Sequence, residues 1–479
     1  MAVEFDEIIL KNPNITFEEL KKYPEFASLA LKLQKGGAFP SDDSAYRQIL
    51  NYFRLLPKKD YHCHISMGLN VRQIAKLIAN LDDADYQKVM KNLRKAKGWR
   101  WFVVRYLSRG KRKNAHELKK IIRFSGLLKT WDGSDFYVVS LAALGQMVKQ
   151  TAKNYLRDRV ESFSVRFNPF KPEMYPRNTD IFEVFIKTMD VVIRSLDEAA
   201  KAYRCEPRKL NVIISINRLR QERLFGYCRE VFSRWNEIPE NVRRRITGFD
   251  LAGPEGSLNS KVKPEDWLAL LGGIPQKLEF TPHLADIRNM KKGSRLHRYT
   301  QNFMLAEQKK DLLSLVEHEY DFMEEYLRLM PENSSMAHGI ALAERIVLLK
   351  PQRGSKSRVY VFDLRKKLNN SALDARRLKL QERLAVMKGI VRAKNISFYF
   401  CPTATAKSAY VADFAELPIF EWVTLDGFRV KIGVDGVFRG GMNEDGEART
   451  LSEEMTRLFL TKPVYGKSLS LKQIISLAD

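Results

Sequence analysis

The residues able to do chemistry in this chain gather in a few short motifs, of which His62-Cys63-His64 comes first. On a strand, residues i and i+2 project from the same face, so these two imidazoles stand together, as ligands of one metal ion must. An isolated H-x-H is a weak signal, because a hydrogen-bonded core histidine explains either residue alone. Three further motifs strengthen it: Pro282-His283-Leu284-Ala285-Asp286, Ala337-His338-Gly339 and Gly433-Val434-Asp435-Gly436. Four of the seven histidines and an aspartate thus close short apolar runs, whereas His116, His297 and His318 fall in helix-like or loop-like stretches. Three neutral imidazoles and one carboxylate form a donor set suited to Zn2+, with a position left for water. Such an ion lowers the pKa of water from 15.7 to about 7. A further histidine can orient or deprotonate that water, and a nearby carboxylic acid can protonate a ring nitrogen. Together these groups are machinery for hydrolytic attack on an amidine-like carbon.

Elements must bring these motifs together. Eight strands are expected, over Asp60–His64, Phe163–Phe167, Leu210–Ile216, Ile246–Leu251, Lys277–His283, Ser335–Gly339, Ile396–Cys401 and Arg429–Asp435. Amphipathic segments lie between them; Asp180–Tyr203 has apolar residues at Ile181, Phe185, Met189, Val192, Ile193 and Leu196, one helical face. Strands alternating with helices point to parallel β-structure, and a count of eight favours a closed (β/α)8 TIM-type barrel over an open sheet. In such a barrel the C-terminal ends of the strands carry the catalytic groups, which is where the histidines fall. Residues 1–55 read as a helical N-terminal extension, with Thr16 and Glu19 spaced as a capping box. Residues 56–479 read as the barrel with insertions on its catalytic face and C-terminal helices, and Arg358–Leu364 reads as an extra strand in one insertion.

The motifs, in this order, resemble the adenosine and AMP deaminase family of the metal-dependent amidohydrolases. The resemblance runs from about residue 58 to residue 436. It rests also on Val165-Arg166-Phe167-Asn168-Pro169, Gly248-Phe249-Asp250-Leu251-Ala252-Gly253 and Phe400-Cys401-Pro402. It implies a (β/α)8 barrel, Zn2+ as cofactor and a purine nucleoside or nucleotide as substrate. His62, His64, His283 and Asp435 match the zinc ligands. His338 matches the histidine that orients and deprotonates the attacking water, and Gly253 the glycine whose N–H meets the purine. Asp286 stands where the family has a glutamate that protonates the ring nitrogen, and is one methylene shorter. Gly436 replaces a second aspartate that contacts the purine. Ser66 replaces the aspartate that adenosine deaminases set against the ribose 5′-hydroxyl, and His62–Asn70 is closer to the AMP deaminase pattern. The metal-binding half of the pattern is kept and the substrate-reading half altered. A weakly active or inactive relative that binds nucleic acid or a protein partner is therefore the alternative reading.

Composition narrows the partners. The 479 residues include 82 Lys+Arg against 57 Asp+Glu, a formal net charge of +25, which favours a phosphorylated substrate, nucleic acid or another polyanion. Residues 91–129 hold 14 Lys/Arg and one acid, Glu117, interleaved with Trp99, Trp101, Phe102, Tyr106 and Phe124. Further basic runs follow Asp286 (Arg288, Lys291, Lys292, Arg295, Arg298) and span Lys350–Arg358. A cationic collar around the pocket mouth is the geometry these three stretches predict. Cys63, Cys205, Cys228 and Cys401 form no C-x-x-C pair, which argues against a cysteine zinc finger and against the zinc site of cytidine-type deaminases. With no signal-like start and no long apolar run, the expectation is a cytoplasmic protein without a membrane partner. The apolar face of residues 1–55 would suit a homo-oligomer contact.

Overall fold

Runs of β-branched and aromatic residues become strands in the computed structural model, which describes residues 5–34, 42–65, 69, 71–95, 113–114, 116–118, 138–176, 178–217, 221–252, 262–284, 309–349, 360–407, 414–434 and 450–479. Five parallel strands form one sheet, in the order β1 (Lys58–His64), β2 (Val160–Phe167), β3 (Leu210–Asn217), β4 (Ile246–Ala252) and β5 (Glu279–Phe280). A second parallel sheet contains β6 (His283–Leu284), β7 (Ser335–His338), β10 (Ser397–Phe400) and β11 (Arg429–Ile432), in the order β11-β10-β7-β6. The molecule is thus α/β with parallel sheets, and each expected strand is found within a few residues of its expected bounds.

Two differences have physical causes. The expected fifth strand is divided into β5 and β6 at Thr281-Pro282. Thr281 still donates its N–H to Phe249 O (2.8 Å), but Pro282 has no N–H and instead accepts from Ala337 N (2.9 Å). The segment therefore changes partner from β4 to β7 and bridges the two sheets. The extra strand-like segment forms β9 (Tyr360–Asp363), paired antiparallel with β8 (Arg345–Leu349), a strand the sequence reading did not identify.

Helices cover the sheets. Ile181–Ala202 buries Phe185, Met189, Val192 and Leu196 completely, as the 3.6-residue period requires. Leu141–Arg157 begins at Ser140, whose side chain accepts from Ala143 N, and buries Met147, Val148 and Ala152. The N-terminal helices include Phe17–Leu20, which has the expected Thr16–Glu19 capping box. Their aromatic residues meet the C-terminal helix Leu451–Leu460: Phe5, Phe17 and Phe53 each lie edge-on to Phe459 at 6.2 Å between ring centroids. Leu471 N donates to Ile15 O (2.9 Å), which ties the two ends of the chain together. No helix among the described residues is long and apolar enough to cross a membrane.

Candidate metal centre

β1 ends in His62, Cys63 and His64, all buried. The two histidines share a face, and their Nε2 atoms lie 3.1 Å apart. His283, at the first position of β6 just past the proline, brings a third ring to the same place. One ligand atom from each of these three buried residues lies within 4.8 Å of the others, an arrangement that can hold a metal ion. His338 closes β7, with its ring centroid 5.2 Å from that of His62 and 5.1 Å from that of His283. Histidines from three separate stretches of sequence therefore meet: His62 and His64 at the C-terminal end of β1, His338 at that of β7, and His283 on the two-residue β6.

The turn after β7 is unusual. His338 has φ +71° and Gly339 φ +68°. A left-handed non-glycine residue costs about 1–3 kcal/mol and persists only where its surroundings fix it. A Cβ on Gly339 would lie 2.4 Å from Cε1 of Phe398, so that position also lacks room for a side chain.

Behind the histidines lies a charged layer. Asp250, on β4, accepts Ser215 Oγ (2.8 Å), contacts His283 Nδ1 (2.8 Å) and pairs with Arg166 Nη1 (3.3 Å). Arg166, on β2, also donates to Thr281 Oγ1 (2.9 Å). Both ionic side chains are fully buried. Burial would raise the Asp250 carboxyl, but His283 and Arg166 outweigh it and hold the group well below the usual carboxylate range. Contact through Nδ1 fixes the orientation of the His283 ring, as carboxylates do behind metal-binding histidines. Burial, then the charge of Arg166 and the neighbouring rings, holds His62 well below its ordinary value, so the imidazole stays neutral as metal ligation requires. Burial also pushes Asp60, on β1, up to about 7, against its bonds from the N–H groups of His62 and Val434.

The structure brings together His62, His64, His283 and His338. Ser66, Gly253, Asp286, Asp435 and Gly436 lie outside the described residues, as do most of 91–129 and all of the basic runs at 288–298 and 350–358. Sequence reasoning attached no role to Asp60, Arg166, Ser215, Asp250 or Thr281. The available signal was a charge inside an otherwise apolar strand, as in Val165-Arg166-Phe167 and Phe249-Asp250-Leu251.

No protein-family model matches the chain. No curated protein matches it either. Among solved structures, the apo N6-methyl-AMP deaminase of Arabidopsis thaliana is similar at 12% identity and a TM-score of 0.48, over 90% of this chain and 91% of that one. A zinc-bound amidohydrolase from Burkholderia ambifaria is similar at 10% identity and TM-score 0.47, over 86% and 82%. An adenine deaminase from Arthrobacter aurescens is similar at 12% identity and TM-score 0.43, over 88% and 97%.

Proposed function

We propose that this chain is a zinc-dependent hydrolase that deaminates an adenine nucleoside or nucleotide, releasing ammonia, on a closed (β/α)8 barrel. The observation that carries the reading is the convergence of four buried histidines at strand ends, with His283 held from behind by Asp250. Support for the barrel comes from two places. The Thr281-Pro282 bridge links the two sheets on one side, and Val434, just past β11, bonds to Asp60 on β1 on the other.

In this reading His62, His64 and His283 hold the metal together with Asp435. The ion supplies activation of water at neutral pH. His338 sits beside the cluster to orient the attacking water and take its proton, and its fixed left-handed backbone keeps the ring in place. Asp286 protonates the ring nitrogen beside the reacting carbon. Gly253 meets the purine edge with its N–H, and Ser66 and Gly436 leave the 5′ end and the base less constrained than an adenosine site does. A 5′-phosphate fits the absence of a carboxylate at Ser66 and the net charge of +25.

The test is an incubation of zinc-loaded protein with adenosine, AMP, ATP and single-stranded nucleic acid, following formation of the inosine product. Turnover that is lost in His338→Ala, with zinc content unchanged, is the expected result. Asp286 and Gly436 favour one second reading, a deaminase-like protein that binds a polyanion without turning it over. No turnover on any of these, together with tight, salt-sensitive nucleic-acid binding, would establish that reading instead.

A further inference from the structure

Asp60 is 3% exposed, yet it sits near the middle of a strand, where a carboxylate has no place unless its oxygens are used. Both are. Oδ1 accepts the N–H of His62 at 2.7 Å, and Oδ2 accepts the N–H of Val434 at 3.1 Å. One side chain thus serves β1 and the segment that follows β11. Gly433 makes this approach feasible. A Cβ built there would lie 2.7 Å from Asp60 Oδ1, 2.7 Å from His62 N and 2.8 Å from His62 Cβ, closer than real Cβ atoms come. On its other side Gly433 donates to Phe400 O (3.0 Å), which fixes the last strand to β10. An attractive group and a missing side chain therefore coincide at one seam.

We propose that Asp60 is a positioning residue that clasps the first strand to the last, and so sets His62 against the segment leading into Asp435. The proposal rests on the metal-site reading above. Asp60 itself touches the backbone behind the ligands and is not a catalytic residue.

Asp60→Asn preserves shape, but its amide nitrogen cannot accept from an N–H, so one of the two bonds is lost. Gly433→Ala strains the same seam from the opposite strand. Asp158→Asn is the control: Asp158 is also a buried carboxylate that accepts a backbone N–H, from Ser452 at 3.0 Å, but it precedes β2, at the end of the strands away from the histidines. Two measurements on full-length protein decide the matter. One is hydrogen exchange by mass spectrometry of metal-stripped protein, over peptides covering β1 and residues 429–434. The other is zinc affinity by chelator competition. Asp60→Asn and Gly433→Ala should exchange faster in both peptides and bind zinc about 10- to 100-fold more weakly. Asp158→Asn should lower the melting temperature with zinc affinity intact. Unchanged exchange and affinity in Asp60→Asn would overturn the proposal, as would an equal zinc loss in Asp158→Asn. If the unaltered protein binds no zinc, the metal reading fails and exchange alone decides: faster in both peptides upholds the clasp, unchanged exchange refutes it.

Discussion

Asp250 connects three functions at single-residue scale. It orients His283, neutralises Arg166 and accepts a hydrogen bond from Ser215 Oγ on β3, the strand between β2 and β4. Removing one partner of a buried ion pair leaves the other charge uncompensated, at a cost of about 3–5 kcal/mol. Asp250→Ala should therefore lower the unfolding free energy of metal-stripped protein, read from urea denaturation, by that order, and a loss confined to zinc-loaded protein would show that Asp250 acts through the metal alone. The histidines were legible in the sequence because each closes an apolar run, and His62 and His64 have the spacing of one strand face. Asp250 and Arg166 were visible as residues but not as partners. They stand on strands separated by β3, and no spacing rule links positions on different strands. Asp60 escaped for the same reason, since one of its two bonds reaches the far end of the chain.

Element boundaries carry their own energetics. Lys58 opens β1 and is 2% exposed, with Nζ donating to Phe53 O (2.8 Å) and Leu56 O (2.9 Å) at the end of the helix Ser44–Leu55. Burial lowers its ammonium from 10.5 to about 8, with Asp158 pulling the other way. The folded value lies below the unfolded one, so the unfolded chain binds more protons between them. This group's penalty is full below about pH 8 and fades as pH rises toward 10.5. The stability of the unaltered protein relative to Lys58→Met should accordingly increase across that window, and a flat difference would contradict it. The strand and helix pattern was readable from periodicity for all eight expected strands, the fifth of which is divided into β5 and β6. The break at Pro282 was present in the sequence as a proline, but its effect, an exchange of neighbouring strands, depends on where Ala337 lies. The strand Arg345–Leu349 went unseen because its antiparallel partner gives it a role outside the strand–helix alternation.

At the scale of the whole molecule, a metal held by His62 and His64 of β1 and His283 of β6 would tie the two sheets together. Ligand that binds only the folded state stabilises by mass action. Chelation should lower the melting temperature, zinc should restore it, and His64→Ala should melt alike with and without zinc; identical melting of the unaltered protein in both states would argue against a metal between the sheets. The apolar face of the N-terminal helices, expected to seek a partner, is met within the chain by Phe459. The contact between Asp60 and Val434 also spans 374 positions of sequence. Joining segments so far apart requires closing a very long loop, whose entropy must be met before the contact is rewarded, so this contact is expected late in folding. The histidine cluster beside that seam is then expected to be among the last features to assemble, leaving a chain still in the course of folding without a finished metal site. With zinc as the proposed ion, its uptake during refolding would serve as a clock for completion, captured by finished molecules and passed over by partly folded ones.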